Sequence, residues 1–150
     1  MIHRVAEELP SLYEADETAW LEAMSQLIEQ GRCDELDLPH LGEYLADMAR
    51  RDRREVESRL AVLIAHLLKW VYQPDRRSGS LRKTIVVQRQ ELARLAGRGV
   101  LRKHAEAVLA ESYAAGVEQA AAETGLPPET FSEVCFYTLD QLLTAEVREE

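Results

Sequence analysis

The sequence predicts an all-α fold, a single-domain bundle of five or six mostly antiparallel helices. Apolar residues recur every three or four positions through most of the chain, which is the spacing of one face of a helix. No segment alternates apolar and polar residues with a period of two over a convincing length. Most of the glycines and prolines fall between the periodic stretches, and short loops favour antiparallel neighbours. We therefore predict that residues 1–150 form one helical domain.

The N-terminal part of the chain carries two helix-start signals. Asp16 is placed as the N-cap of a predicted helix over residues 17–30, and Gly31 follows it as a C-terminal stop. Asp37 is followed by Leu-Pro, which is typical of an N-cap with proline in the first turn. This second signal predicts a helix over residues 38–50.

Polar residues 50–55 then interrupt the apolar face of this second helix. Asp52 and Glu55 have capping-box spacing, so we predict that a third helix covers residues 53–72 and ends before Pro74. One bent helix that continues through the interruption is the alternative.

Three further helical stretches complete the predicted fold. A helix capped by Ser78 or Ser80 ends near Gly97, and another covers residues 100–122. Residues 138–141 have capping-box spacing ahead of two leucines, which predicts a short last helix.

The charges are segregated along the chain, whose formal net charge is −9. Residues 50–103 hold fifteen of the eighteen lysines and arginines and carry +10, whereas the two flanking segments together carry −19. One interpretation is that the acidic segments pair with these arginines across helix surfaces. The other is an exposed basic face for nucleic acid, which the overall negative charge and the lack of a glycine-rich phosphate loop disfavour.

Cysteine usage and hydropathy argue against several classes of protein. Cys33 and Cys135 form no C-x-x-C pair, so neither a disulfide scaffold nor a thiolate metal site is predicted. The longest apolar run, residues 60–68, is less than half of the ~20 residues that span a bilayer. The acidic first residues do not resemble an export signal. We therefore predict a cytoplasmic protein without a membrane segment, metal or cofactor.

One candidate catalytic cluster comes from the apolar stretch 63–70. His66 lies among apolar residues there, and Glu43 could approach His66 or Lys69 if the second and third predicted helices pack together. Such a trio is the basis of an alternative function as an enzyme or a metal-binding or anion-binding protein. The interpretation that we prefer is a hydrogen-bonded structural network.

The polar turn over residues 73–80 is the main candidate binding site. It places two guanidinium groups, two hydroxyls and a glycine ahead of a helix N-terminus, which attracts anions. A solvated turn with a serine cap is the alternative. The predicted binding residues are Trp70, Tyr72, Gln73, Arg76, Arg77, Ser78, Ser80, Thr84, Gln88 and Arg89.

Several short motifs occur together in this chain. They are Leu67-Leu68-Lys69-Trp70, Tyr72-Gln73-Pro74, Thr84-Ile85, Gln88-Arg89 and Glu123-Thr124-Gly125-Leu126. In this combination the chain resembles, over residues 12–143, the family called domain of unknown function 29. The resemblance implies an all-helical bundle of bacterial distribution with no established activity.

These observations predict a non-catalytic binding or protein-interaction bundle with an Arg-rich polar surface around residues 70–89. Aromatic and arginine side chains of this kind are enriched at interface hot spots. The expected partner is a protein or a small anion, and a homodimer is a further candidate. The alternatives are an enzyme that uses His66, Glu43 and Lys69, and nucleic-acid binding through residues 50–103.

Overall fold

The computed structural model describes the backbone of residues 2–144 and the side chains of residues 8–144. These residues form α-helices and short 3₁₀ turns and contain no β-strand, which confirms the predicted all-α class. The helices are α1 (Ile2–Ala15), α2 (Glu17–Glu29), α3 (Leu38–Tyr72), α4 (Gly79–Ala96), α5 (Gly99–Ala107), α6 (Leu109–Thr124) and α7 (Leu139–Thr144). The 3₁₀ turns are Cys33–Glu35, Pro74–Arg76 and Pro128–Thr130.

Contacts within the chain divide it into two compact units, residues 1–50 and residues 51–150. The first unit contains α1, α2 and the beginning of α3, and the second contains the rest of α3 with α4 to α7. Each unit has its own cluster of buried apolar side chains.

Unit 1 is organised around the side chain of Trp20, which is fully buried. Asp16 caps α2 as predicted, because its carboxylate accepts a hydrogen bond of 3.1 Å from the Ala19 N–H. Sequence analysis predicted no helix before residue 17, but α1 occupies that stretch with Pro10 inside it. Leu9 of α1 joins the buried cluster with Trp20 and Met24, so burial of an apolar face accounts for a helix that lacks a strong start signal.

Helix α3 corrects the predicted boundary between residues 50 and 53. One helix covers Leu38–Tyr72, so the alternative of a continuous helix is right and the separate helices 38–50 and 53–72 are wrong. Asp52 and Glu55 do not act as a capping box; the Glu55 carboxylate instead accepts a 3.0 Å bond from Arg59. The polar stretch over residues 50–55 does not break the helix, because it contains neither glycine nor proline and consists largely of residues with good helix propensity.

Unit 2 packs its helices around the apolar face of α3. Gly116 allows α6 to approach closely, since a Cβ atom at this position would lie 2.7 Å from the Ile64 Cγ2 atom and 3.1 Å from the Ala61 carbonyl oxygen. The buried side chains that α3 contributes are Val56, Leu60, Leu63, Ile64, Ala65, Leu67, Leu68 and Trp70.

The C-terminal helices confirm one prediction and correct another. The helix predicted over 100–122 is interrupted at Val108, whose ψ of 6° separates α5 from α6. The capping box before α7 forms as predicted: the Thr138 N–H donates to the Gln141 side chain at 2.9 Å, and the Gln141 N–H donates to the Thr138 hydroxyl at 3.2 Å.

Candidate functional site

The polar side chains of the turn between α3 and α4 are held in place by residues at the end of α3 and at the start of α4. The chain leaves α3 at Tyr72, passes through the 3₁₀ turn Pro74–Arg76 and enters α4. Of the two predicted serines, Ser78 is the N-cap, because its hydroxyl accepts a 3.1 Å hydrogen bond from the Leu81 N–H. The Ser80 carbonyl oxygen accepts a bond of 3.1 Å from the Thr84 hydroxyl.

Arg77 is held against the end of α3 by two contacts with Trp70. Its Nε–H donates to the Trp70 carbonyl oxygen at 2.9 Å, and its guanidinium carbon lies 4.9 Å from the centre of the Trp70 ring. The indole itself is buried, so it forms a rigid support for the cation. The guanidinium is therefore positioned before any ligand arrives.

Two clefts lie on either side of Ser78, and we call them the turn clefts. The first has a volume of about 450 Å³ and is lined by Trp70, Pro74, Arg77, Ser78, Gly79 and Arg82. The second has a volume of about 230 Å³ and is lined by Lys69, Gln73, Arg76, Ser78, Leu81 and Glu123. Together they bring four cationic side chains and one carboxylate around a single hydroxyl.

The carboxylate in the second turn cleft is already engaged. Glu123 accepts a 3.0 Å bond from the Lys69 ammonium and a 3.1 Å bond from the Gln119 amide. Burial raises the pKa of Glu123, but these bonds from Lys69 and Gln119 outweigh it and leave the pKa below its ordinary value. The cleft therefore presents more positive than negative charge.

The trio predicted from sequence is not brought together as expected. Glu43 and His66 lie on the same helix, α3, so no packing of two separate helices can bring the carboxylate to the imidazole. The His66 Nδ1–H donates to the Val62 carbonyl oxygen at 2.7 Å, one turn back along α3. The carboxylate that contacts Lys69 is Glu123 of α6, which sequence reasoning had not assigned to this cluster.

Unit 1 contains a buried polar cluster that sequence analysis did not identify. The side chain of Asp37 is 3% exposed. It accepts a 3.1 Å bond from the Trp20 indole N–H and a 2.7 Å bond from the His40 Nδ1–H. The Tyr13 ring stacks on the His40 ring with 4.4 Å between centroids. Asp37 had been predicted only as an N-cap, and the spacing of Trp20 from Asp37 gave no signal of their contact.

The sequence was also compared with known families and proteins. The family model described as Domain of unknown function DUF29 matches residues 12–147. The chain belongs to this family. The match confirms the family that the short motifs had predicted, and it includes the whole turn between α3 and α4. No curated protein and no solved structure is similar enough to this chain to match it.

Several of the predicted binding residues of this DUF29 protein do not line the turn clefts. Their side chains form hydrogen bonds with other elements of unit 2. The Tyr72 hydroxyl accepts a 3.3 Å bond from the Ser132 N–H. The Arg89 Nε–H donates to the Leu142 carbonyl oxygen at 2.8 Å, and burial lowers the pKa of Arg89. The Gln88 amide oxygen accepts a 3.1 Å bond from Arg59. These contacts connect α3, α4 and the C-terminal segment to one another.

Among the residues whose placement is described, no group of three or more His, Cys, Asp or Glu side chains could hold a metal ion. In the same part of the chain, no helix is both long enough and apolar enough to cross a membrane.

Proposed function

We propose that this DUF29 protein is a non-catalytic binding module whose turn clefts bind an acidic segment of a partner protein. The observation that carries the proposal is the convergence of Lys69, Arg76, Arg77 and Arg82 on the two sides of Ser78. The one carboxylate among them is neutralised by Lys69. A ligand that supplies carboxylates matches the sign of the charges that line the two clefts.

The geometry favours a peptide segment because the cations are distributed over two adjoining clefts. A chain with several aspartates or glutamates can place successive carboxylates in both clefts. Arg77 is pre-ordered on Trp70, so less side-chain entropy is lost when it binds a carboxylate. Planar guanidinium groups also bind carboxylates through two parallel hydrogen bonds.

A protein partner fits the charge of the chain better than nucleic acid does. The net charge of −9 repels a long polyanion over its whole length, whereas a short acidic segment meets mainly the local cations. We further propose a cytoplasmic location, where reducing conditions would keep the exposed thiol of Cys33 free.

The test is binding of a fluorescein-labelled oligoglutamate peptide, measured by fluorescence anisotropy at low salt. We expect the variant R76A/R82A to bind about tenfold more weakly or worse than the wild type, because each lost charge-assisted hydrogen bond contributes about 1.5–3 kcal/mol. Both side chains are exposed, and circular dichroism establishes that the variant is folded. The matched control is R51A/R54A, which removes two exposed arginines from α3 outside the clefts.

Three outcomes would contradict the proposal. Equal weakening by R51A/R54A would show that only the overall charge matters. Unchanged binding by R76A/R82A would place the peptide elsewhere. Full displacement of the peptide by millimolar inorganic phosphate would indicate a small-anion site in place of a protein-binding surface.

A further inference from the structure

Besides the two turn clefts, unit 2 has a groove that is lined by α6 and by the segment that follows it. Its volume is about 400 Å³, and its floor consists of the side chains of Tyr113, Val117 and Phe131. The Tyr113 hydroxyl donates to the Ser132 carbonyl oxygen, which fixes one side of the floor. Ala114 lines the groove without filling it, and Glu129 and Glu133 complete the lining. We call this feature the acidic groove.

The carboxylates around the acidic groove are not balanced by the surrounding chain. Residues 105–144 contain seven acidic side chains and no lysine, arginine or histidine. Three of the seven pair with Arg102 or Lys69 in the part of the chain that the structure describes, and they are Glu106, Glu123 and Asp140. The other four acids belong to none of these pairs, and they are Glu111, Glu118, Glu129 and Glu133. Residues 105–144 therefore contribute no positive charge of their own to balance these four acids.

The complementary surface is present on α4 of the same unit. Two valines on this helix are exposed, Val86 by 40% and Val87 by 42%. Lys83 and Arg94 lie before and after them at helical spacing, so one exposed stripe carries two apolar side chains between two cations. Arg94 also pairs with Glu91 of the same helix at 2.8 Å, but its side chain is 68% exposed, and an exposed pair of this kind contributes little to stability. We call this stripe the basic face of α4. It is defined by Lys83, Val86, Val87, Gln90 and Arg94.

We propose that the acidic groove binds the basic face of α4 of a second copy of this chain. The apolar floor of the groove would cover Val86 and Val87, and the carboxylates of Glu129 and Glu133 would meet the flanking cations. The two surfaces share no residue, so one protomer can present both at once. The contact joins unlike surfaces, so it occurs once between each pair of neighbours in a head-to-tail ring.

The first test is the mass of the wild-type protein in solution, measured by sedimentation equilibrium from micromolar to millimolar concentration. We expect association that increases with concentration and weakens at high salt, since part of the attraction is between charges. A monomer throughout this range overturns the proposal. Two variants then locate the contact: V87D places a carboxylate in the basic face of α4, and A114W fills the acidic groove.

We expect V87D and A114W each to be monomeric alone and to form a one-to-one complex when mixed. In the mixture the intact groove of V87D can bind the intact helix face of A114W. The controls are V100D and A115W, which change exposed residues outside both surfaces and should associate like the wild type. Circular dichroism establishes that each variant is folded, and E129K/E133K replaces A114W if the tryptophan is not accommodated.

Two results of the variant experiment would overturn the proposal. Association that survives both V87D and A114W places the contact on other surfaces. Failure of the two variants to form a complex when mixed shows that groove meets groove or helix meets helix, since only unlike surfaces can restore binding in the mixture.

Discussion

At the scale of single residues, Gly42 and Gly116, two glycines in the interior of helices, have opposite surroundings. A Cβ atom at Gly116 would lie 2.7 Å from the Ile64 side chain, whereas a Cβ atom at Gly42 would meet nothing within 4 Å. We predict that G116A lowers the free energy of unfolding by about 1–3 kcal/mol, because an added methyl overpacks the contact between α6 and α3. Urea denaturation followed by circular dichroism measures this change.

The control for this prediction is G42A in the first half of α3. Alanine has a higher helix propensity than glycine, so G42A is expected to leave stability unchanged or to raise it by up to about 1 kcal/mol. If G116A were as stable as the wild type, the close approach of α6 to α3 would be wrong.

At the scale of elements, three helix starts were predictable from a capping side chain. Asp16, Ser78 and Thr138 cap helices where their spacing predicted it, because a cap depends on side chains within three residues of one another. The continuity of α3 was not predictable in this way. A polar stretch over residues 50–55 looks the same in the sequence whether the chain turns there or an exposed helix continues, and apolar packing on either side decides between them.

The start of α3 gives a prediction for a whole element. The Asp37 carboxylate accepts bonds from Trp20 and His40, and its Oδ1 also accepts a 3.4 Å bond from the His40 backbone N–H. We predict that D37A destabilises unit 1 by about 2–4 kcal/mol, since it removes a helix cap and leaves the buried indole N–H of Trp20 without an acceptor. Thermal unfolding followed by circular dichroism measures the change.

The exposed Asp34 provides the matched control, because D34A removes an acid three residues away that accepts none of these bonds. An equal loss of stability in D34A and D37A would show that the hydrogen bonds to the buried Asp37 carboxylate do not account for the loss. A melting temperature that falls only in D37A would support the cluster.

At the scale of the whole molecule, the pairing of charges shows why the candidate site was only partly predictable. Arg76, Arg77 and Ser78 are neighbours in the sequence, so their meeting at one turn was expected. The contact of Lys69 with Glu123 joins residues 54 positions apart, and no local pattern encodes such a pair. The interpretation in which acidic segments pair with basic ones is correct for this pair and for Arg102 with Asp140. It does not extend to every acid of the C-terminal segment.

Charge also sets the pH dependence of stability. The hydrogen bond from Arg32 lowers the pKa of Glu35, and that from Arg94 lowers the pKa of Glu91. The pKa of Glu123 is lowered as well, despite burial. A carboxyl whose pKa is lower in the folded state stabilises the fold above its unfolded pKa, about 4.3 for glutamate, and loses that effect as the pH falls through the folded value. The direction of all three shifts therefore predicts a loss of stability on the acid side.

We predict that E123Q lowers the melting temperature at neutral pH, and that the difference from the wild type shrinks to nothing as the pH falls below the folded pKa of Glu123. Protonated glutamic acid and glutamine are both neutral there, so neither retains the ion pair with Lys69. Calorimetric melting curves between neutral and acid pH measure the difference. E118Q, on the exposed side of α6, is the control and should differ from the wild type by a small amount that does not follow the same pH profile. A difference for E123Q that stayed constant down to the lowest pH would mean that the carboxylate charge contributes nothing and that only the shape of the side chain matters.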